Sequence, residues 1–246
     1  MQKIIAALAL SGAAAYVAPV APKATSALNS KAELEALAMS NTDALGQSMG
    51  FWDPLGLADG DFWGLGNEGT IGYLRHAEIK HGRVAMAAFL GYMAGATELV
   101  SGPHKILPYR GFEPGLTPPE QWDAIPLYGK LQILVIVGML ESYGEILAPH
   151  YTKGGLPGYY PPIKGKRPEL IFNLYDPFNF FEADSAEKKA RGRLTEVNNG
   201  RLAMLGIFSI ISEATVPGSV PALKDMIPPY DGNVMIPFSG DFSIFS

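Results

Sequence analysis

Two short windows hold the side chains with the most chemistry to offer. Arg75-His-Ala-Glu78-Ile-Lys-His81-Gly82-Arg83-Val-Ala85-Met86 aligns without a gap on Arg193-Leu-Thr-Glu196-Val-Asn-Asn199-Gly200-Arg201-Leu-Ala203-Met204. On a helix turning about 100° per residue, Glu78 and His81 share one face, and so do Glu196 and Asn199. Each pair offers oxygen or nitrogen donors one turn apart, spaced as separate ligands rather than as a cage. A catalytic metal needs several convergent donors. A hard Mg²⁺ already held in the plane of a tetrapyrrole needs one axial oxygen or nitrogen donor, and that is the chemistry this spacing fits.

The arginines of the repeat complete the pattern. Glu78 and Arg83 are five residues apart, about 140° around a helix, so they face different ways. A two-fold axis relating the copies supplies the missing partner, Arg201 for Glu78 and Arg83 for Glu196. An unpaired charge at membrane depth costs at least about 2.5 kcal/mol, so reciprocal pairs would fix the crossing of the two helices and leave one carboxylate oxygen for a ligand. Arg75 and Arg193, three residues before each glutamate, are weaker local partners expected at the interface with water.

Further donors lie outside the repeat. Glu213 follows Asn199 by fourteen residues, returns to nearly the same face, and is either another ligand or polar partner, or a solvated helix end. Gln132 and Glu141 interrupt the apolar middle segment nine residues apart, on opposite sides, as ligands for different sites. Glu145 is expected at an interface with water. Ala87, Gly91 and Gly95, and Gly200, Ala203 and Gly206, form small-residue stripes that admit a close helix or a flat cofactor. The histidines at 76, 81, 104 and 150 are scattered and form no catalytic arrangement.

These residues need long helices to carry them. The 246-residue chain is 48% hydrophobic and 17% charged, against about 25% charged for a soluble domain, with a mean hydropathy of +0.11. The spacing predicts helices over about 72–100, 126–147 and 185–215, stopped by Gly102-Pro103, Pro149 and Pro217-Gly218. A short helix is expected within 31–49, and a short amphipathic helix at Pro221–Met226. Turns Trp52-Asp53-Pro54-Leu55 and Tyr175-Asp176-Pro177-Phe178 precede the first and third long helices. No helix is a clean apolar run of about 20 residues. The ionisable groups within them fit a membrane only as paired, functional residues. The fold expected is an all-α membrane protein with three transmembrane helices, the first and third crossing as a pseudo-two-fold pair.

Other features narrow the class. The net charge of −5 argues against nucleic acid, which requires a basic face. The sequence has no cysteine, which removes disulfides, thiolate metal sites and cysteine nucleophiles. Residues 1–30 read as a removed leader. Lys3, an apolar run to Leu10 and small residues to Ala15 make a signal pattern, and Tyr16–Ser30 lacks acidic residues like a plastid transit segment.

With both windows behind Asp-Pro turns, residues 48–218 resemble the chlorophyll-binding light-harvesting complex family. The resemblance implies chlorophylls on Glu78, His81, Glu196, Asn199 and Glu213, and carotenoids against the turns at Asp53, Pro54, Leu55, Asp176, Pro177 and Phe178. Position 213 is Glu where the green-plant pattern has Gln. The lead-in Trp122-Asp123-Ala124-Ile125-Pro126 and the leader are more similar to the chlorophyll a/c branch of algae with secondary plastids. That branch implies chlorophyll a, chlorophyll c and a xanthophyll such as fucoxanthin, peridinin or diadinoxanthin. It also implies a multi-pass thylakoid location, with a photosystem core, other antenna subunits and thylakoid lipid as partners in an oligomer or supercomplex. The function implied is light harvesting without catalysis. A photoprotective, energy-dissipating member of the family is the nearest alternative. A small transporter or proton relay is a rival of another class, discriminated by a colourless purified protein, and a soluble helical enzyme leaves the repeat unexplained.

Overall fold

The computed structural model describes residues 30–40, 51–97, 115–146, 148–160, 184–234, 236 and 238. The leader up to residue 29 and the turn at Asp176, Pro177 and Phe178 lie outside the described residues. Among those described there are helices and turns and no strand, so the architecture is all-α.

Helix α1 spans Lys31–Ser40. A reciprocal capping pair starts it: Ser30 N donates to Glu33 Oε2, and Glu33 N donates to Ser30 Oγ, both at 3.3 Å. Ser30, expected in the leader, is therefore the cap of the first helix. Lys31 Nζ pairs with Asp59 at 2.5 Å. The following turn is held by Asp53, whose Oδ1 and Oδ2 accept from Leu57 N (3.0 Å) and Ala58 N (2.8 Å). These amides, Ala58 foremost, hold the Asp53 carboxyl below its ordinary pKa. Asn67 Nδ2 donates to Ala58 O at 2.7 Å, tying this turn to the next helix.

Helix α2 spans Gly66–Gly95 and begins six residues before the expected start. Gly66, Asn67 and Gly69 read as turn formers, yet they belong to a helix whose start is fixed by Asp61 Oδ1 accepting from Gly66 N at 2.7 Å. The helix ends at Gly95 rather than near Val100, in a turn where Thr97 N and Oγ1 both donate to Ala94 O (3.1 and 2.6 Å). Helix α3 is Pro118–Ala124, α4 is Leu127–Glu145 and α5 is Ala186–Thr215, the last two within two residues of expectation. The expected amphipathic helix at Pro221–Met226 is instead a single 3-10 turn, Pro221–Leu223. Lys224 turns extended (ψ 135) and Asp225 takes φ 63, which no helix continues through.

The chain divides into two compact units, Met1–His81 with Tyr143–Asn199, and Gly82–Ser142 with Gly200–Ser246. The buried apolar side chains among the described residues are few and mostly alanine, whereas large ones such as Leu90, Leu205 and Phe208 are about seven-tenths exposed (71%, 68% and 68%). No single described helix is long and apolar enough to cross a membrane; α3 and α4, bent by 105° at the break between them, pass together by length and composition.

Candidate functional site

In the first unit the expected donors Glu78 and Glu196 are half-buried, and His81 and Asn199 are exposed. His81 Nδ1 lies 2.7 Å from the carbonyl of Ala77, four residues back on its own helix. A carbonyl only accepts, so Nδ1 carries a proton, and in the neutral ring Nε2 is the nitrogen with the lone pair. Fixing one ring nitrogen on a backbone carbonyl is how a metal-binding histidine is commonly held in its working tautomer.

The opposite face of α2 has a different task. Residues 150–158 lie along Gly69, Gly72, His76 and Ile79. A methyl on Gly72 would overlap the Tyr151 carbonyl, and one on Gly69 would stand 3.2 Å from Thr152 O. The Tyr151 ring stacks on His76 (centroids 3.8 Å, 10°) and leans on His150 at 4.0 Å. Gly158 N donates to His76 Nδ1 at 3.0 Å. Glu145, at the end of α4, accepts from His150 Nε2 (2.9 Å) and Tyr151 Oη (3.1 Å), with Lys80 Nζ at 3.5 Å. Thus Glu145, expected merely to face water, is the centre of a polar cluster, and two histidines that looked scattered flank one tyrosine. Only the glycines at 69 and 72, with His76 on the same side, hint at this in the sequence. Arg75, expected at the water interface, is half-buried.

In the second unit the equivalent glycines of the two repeats meet. A Cβ on Gly82 would stand 3.0 Å from Gly200 Cα, and one on Gly200 would stand 2.8 Å from Gly82 Cα. Equivalent residues touching one another is what a two-fold relation between the copies demands. Two turns on, Phe89 covers Gly206, where a Cβ would lie 3.1 Å from its ring. Arg83 is half-buried and Arg201 exposed. Glu78, Glu196, Arg83 and Arg201 all have interaction partners.

Glu213 is a polar partner rather than a solvated helix end. It is 3% exposed, and its two oxygens accept from Gly218 N (2.7 Å) and Val220 N (2.8 Å). It clamps the chain leaving α5. Beside it Tyr230 N donates to Ala214 O at 2.8 Å, and Tyr230 Oη donates to Asp123 Oδ2 at 2.7 Å. Loss of water and the Asp123 carboxylate push the phenol up to about 12. The second contact is not legible in the sequence, because 107 residues separate the two side chains. On α4, Gln132 and Glu141 are both exposed. Of the expected carotenoid contacts, Pro54 and Leu55 are exposed and Asp53 is the turn cap. No group of three acidic, histidine or cysteine side chains among the described residues could cage a metal ion.

Long helices with little core between them, isolated donors on their faces and a doubled motif meeting at its glycines define a cofactor-carrying helical scaffold. The family model for chlorophyll a-b binding protein matches residues 38–215. A fucoxanthin-chlorophyll a-c binding protein of Trieres chinensis is 34% identical, covering 92% of this chain and 100% of the relative. Proteins of the same description from Macrocystis pyrifera (27% identical; 92% of this chain, 97% of the relative) and Phaeodactylum tricornutum (33%; 66% and 72%) are also similar. The chain belongs to the chlorophyll a-b binding family, in its chlorophyll a/c light-harvesting branch.

Proposed function

We propose that the protein is a light-harvesting antenna subunit of the plastid thylakoid, carrying chlorophyll a, chlorophyll c and a fucoxanthin-type carotenoid, and passing excitation to a photosystem. It is not an enzyme. The observation that carries this reading is His81, exposed where the charged first half of α2 gives way to its apolar second half, with Nδ1 committed to Ala77 O and Nε2 available as a ligand. Asn199 is its counterpart on α5. Glu78 and Glu196 serve as the oxygen donors of the repeat, with Gln132 and Glu141 as donors on α4. Glu213 belongs to the scaffold.

Three membrane-crossing helices, α2, α4 and α5, are part of this reading. At about 1.5 Å per residue, α2 and α5 (30 residues each) are about 45 Å long, and α4 (19 residues) about 28 Å, against about 30 Å of hydrocarbon. Leu131 to Leu140 are all exposed, and a helix apolar on every side is stable only when something apolar surrounds it. The hydroxyls of Ser142, Thr195, Ser209 and Thr215 donate to carbonyls four residues back, at 2.8–3.0 Å, so they present little unsatisfied polarity to lipid. The reading includes pairing of Glu78 with Arg201 and of Glu196 with Arg83, which neutralises these four charges of the repeat. Pigment extraction and the fluorescence excitation spectrum test the reading together. Carotenoid and chlorophyll c bands exciting chlorophyll a emission support it, and a colourless protein purified from its native membrane overturns it.

A further inference from the structure

The two histidines of α2 are five residues apart, about 140° around the helix, and their surroundings differ. His81 is exposed. His76 is 8% exposed, and its ring is held on two sides by residues 150–158. An amide N–H can only donate, so the bond from Gly158 N fixes Nδ1 of His76 as an acceptor and its proton on Nε2. The stacked Tyr151 fixes the ring plane. Gly72 lets the Tyr151 backbone approach α2 at the preceding turn, and Ile79 meets Gly158 at the following one, where a Cβ would be 2.7 Å away. Contacts above, at and below His76 therefore all lie on one side of α2, and together they leave its rotation little freedom.

We propose that His76 is a positioning residue for the pigment ligand His81. By accepting from Gly158 N–H and stacking on Tyr151 it sets the rotation of α2 that turns His81 outward, and so the orientation of the chlorophyll His81 holds. This rests on the antenna reading above. A side chain that acts through another must have its effect on that other's pigment, and the acceptor and the stack can be removed separately. His76→Asn keeps an acceptor where Nδ1 stands. His76→Phe keeps the stack and deletes the acceptor. Tyr151→Leu deletes the stack and leaves α2 unaltered.

The test compares low-temperature absorption and circular dichroism of the purified pigment–protein for these variants with His81→Leu. The chlorophyll band lost in His81→Leu is expected to be displaced in His76→Phe, and displaced less in His76→Asn, which keeps the acceptor though not the stacked ring. The His76→Phe/His81→Leu double variant is expected to match His81→Leu alone. Should His76→Phe not accumulate, Tyr151→Leu carries the same expectation of a shift confined to that band. The proposal is overturned if either folded variant leaves that band in place, or shifts bands that survive in His81→Leu. A colourless wild type overturns the antenna reading, and this proposal with it. A pigmented wild type that loses one chlorophyll in His81→Leu, and keeps that band unmoved in His76→Phe, overturns this proposal alone.

Discussion

Helices α2 and α5 carry the same motif but are anchored at opposite ends by unrelated means. α2 is gripped along its first half, where Gly69, Gly72, His76 and Ile79 receive residues 150–158. α5 is gripped at its end, where Glu213 binds Gly218 N and Val220 N, and Tyr230 joins Ala214 O to Asp123. Where the copies agree, at Gly82 and Gly200, they touch each other. The repeat thus encodes the glycine contact, and the residues outside it encode what each helix is fastened to.

The sharpest way to break this division is at the crossing. A leucine at Gly200 must displace the Gly82 backbone, which cannot rotate away. Gly200→Leu should cost at least the upper end of the about 1–3 kcal/mol typical of overpacking, and abolish accumulation of folded protein. Gly138, with nothing within 4 Å of a Cβ, is the control. Gly138→Ala should be neutral, or stabilising by up to about 1 kcal/mol from helix propensity. Thermal denaturation followed by circular dichroism measures both, and equal effects would mean that the glycines are not where the helices meet.

The charges of the repeat come next. If Glu78 and Arg201 serve each other, Glu78→Arg or Arg201→Glu alone should each cost at least about 2.5 kcal/mol, and the double exchange should recover most of the yield of pigmented protein. A double variant no better than the singles would deny the pairing.

The anchor of α5 is a smaller test. Tyr230→Phe removes one hydrogen bond to a carboxylate, worth about 1.5–3 kcal/mol. It should lower thermal stability while leaving the pigment spectrum unchanged. Folding raises the pKa of this phenol, so its contribution is complete below the free tyrosine value of about 10 and is lost as pH rises through about 12. Alkaline denaturation curves of wild type and Tyr230→Phe should therefore converge over that interval. Curves that stay parallel would mean that the phenol does not titrate with folding.

What the sequence made legible follows the same division. The repeat could be read because its spacing is local: Glu and His or Asn one turn apart, then Gly and Arg. The boundaries of α4 and α5 could be read from apolar runs and prolines. The start of α2 could not, because Gly66, Asn67 and Gly69 have the composition of a turn, and only the packed residues 150–158 explain why glycines sit inside a helix. The roles of Glu145 and Glu213 were hidden for a related reason. Each is a carboxylate near a helix end, and its partners lie in the irregular segment that follows, where no periodicity forecasts which amide or ring comes near. Tyr230 and Asp123 meet across 107 residues, a separation that no local pattern spans.

The number of chlorophylls per chain decides most directly whether His81 and Asn199 are axial ligands. Quantitative extraction from wild type, His81→Leu, Asn199→Leu and the double variant is the deciding measurement. One chlorophyll fewer in each single variant and two fewer in the double is the predicted result. Folded variants with the wild-type pigment count would contradict the assignment of these two side chains as axial ligands.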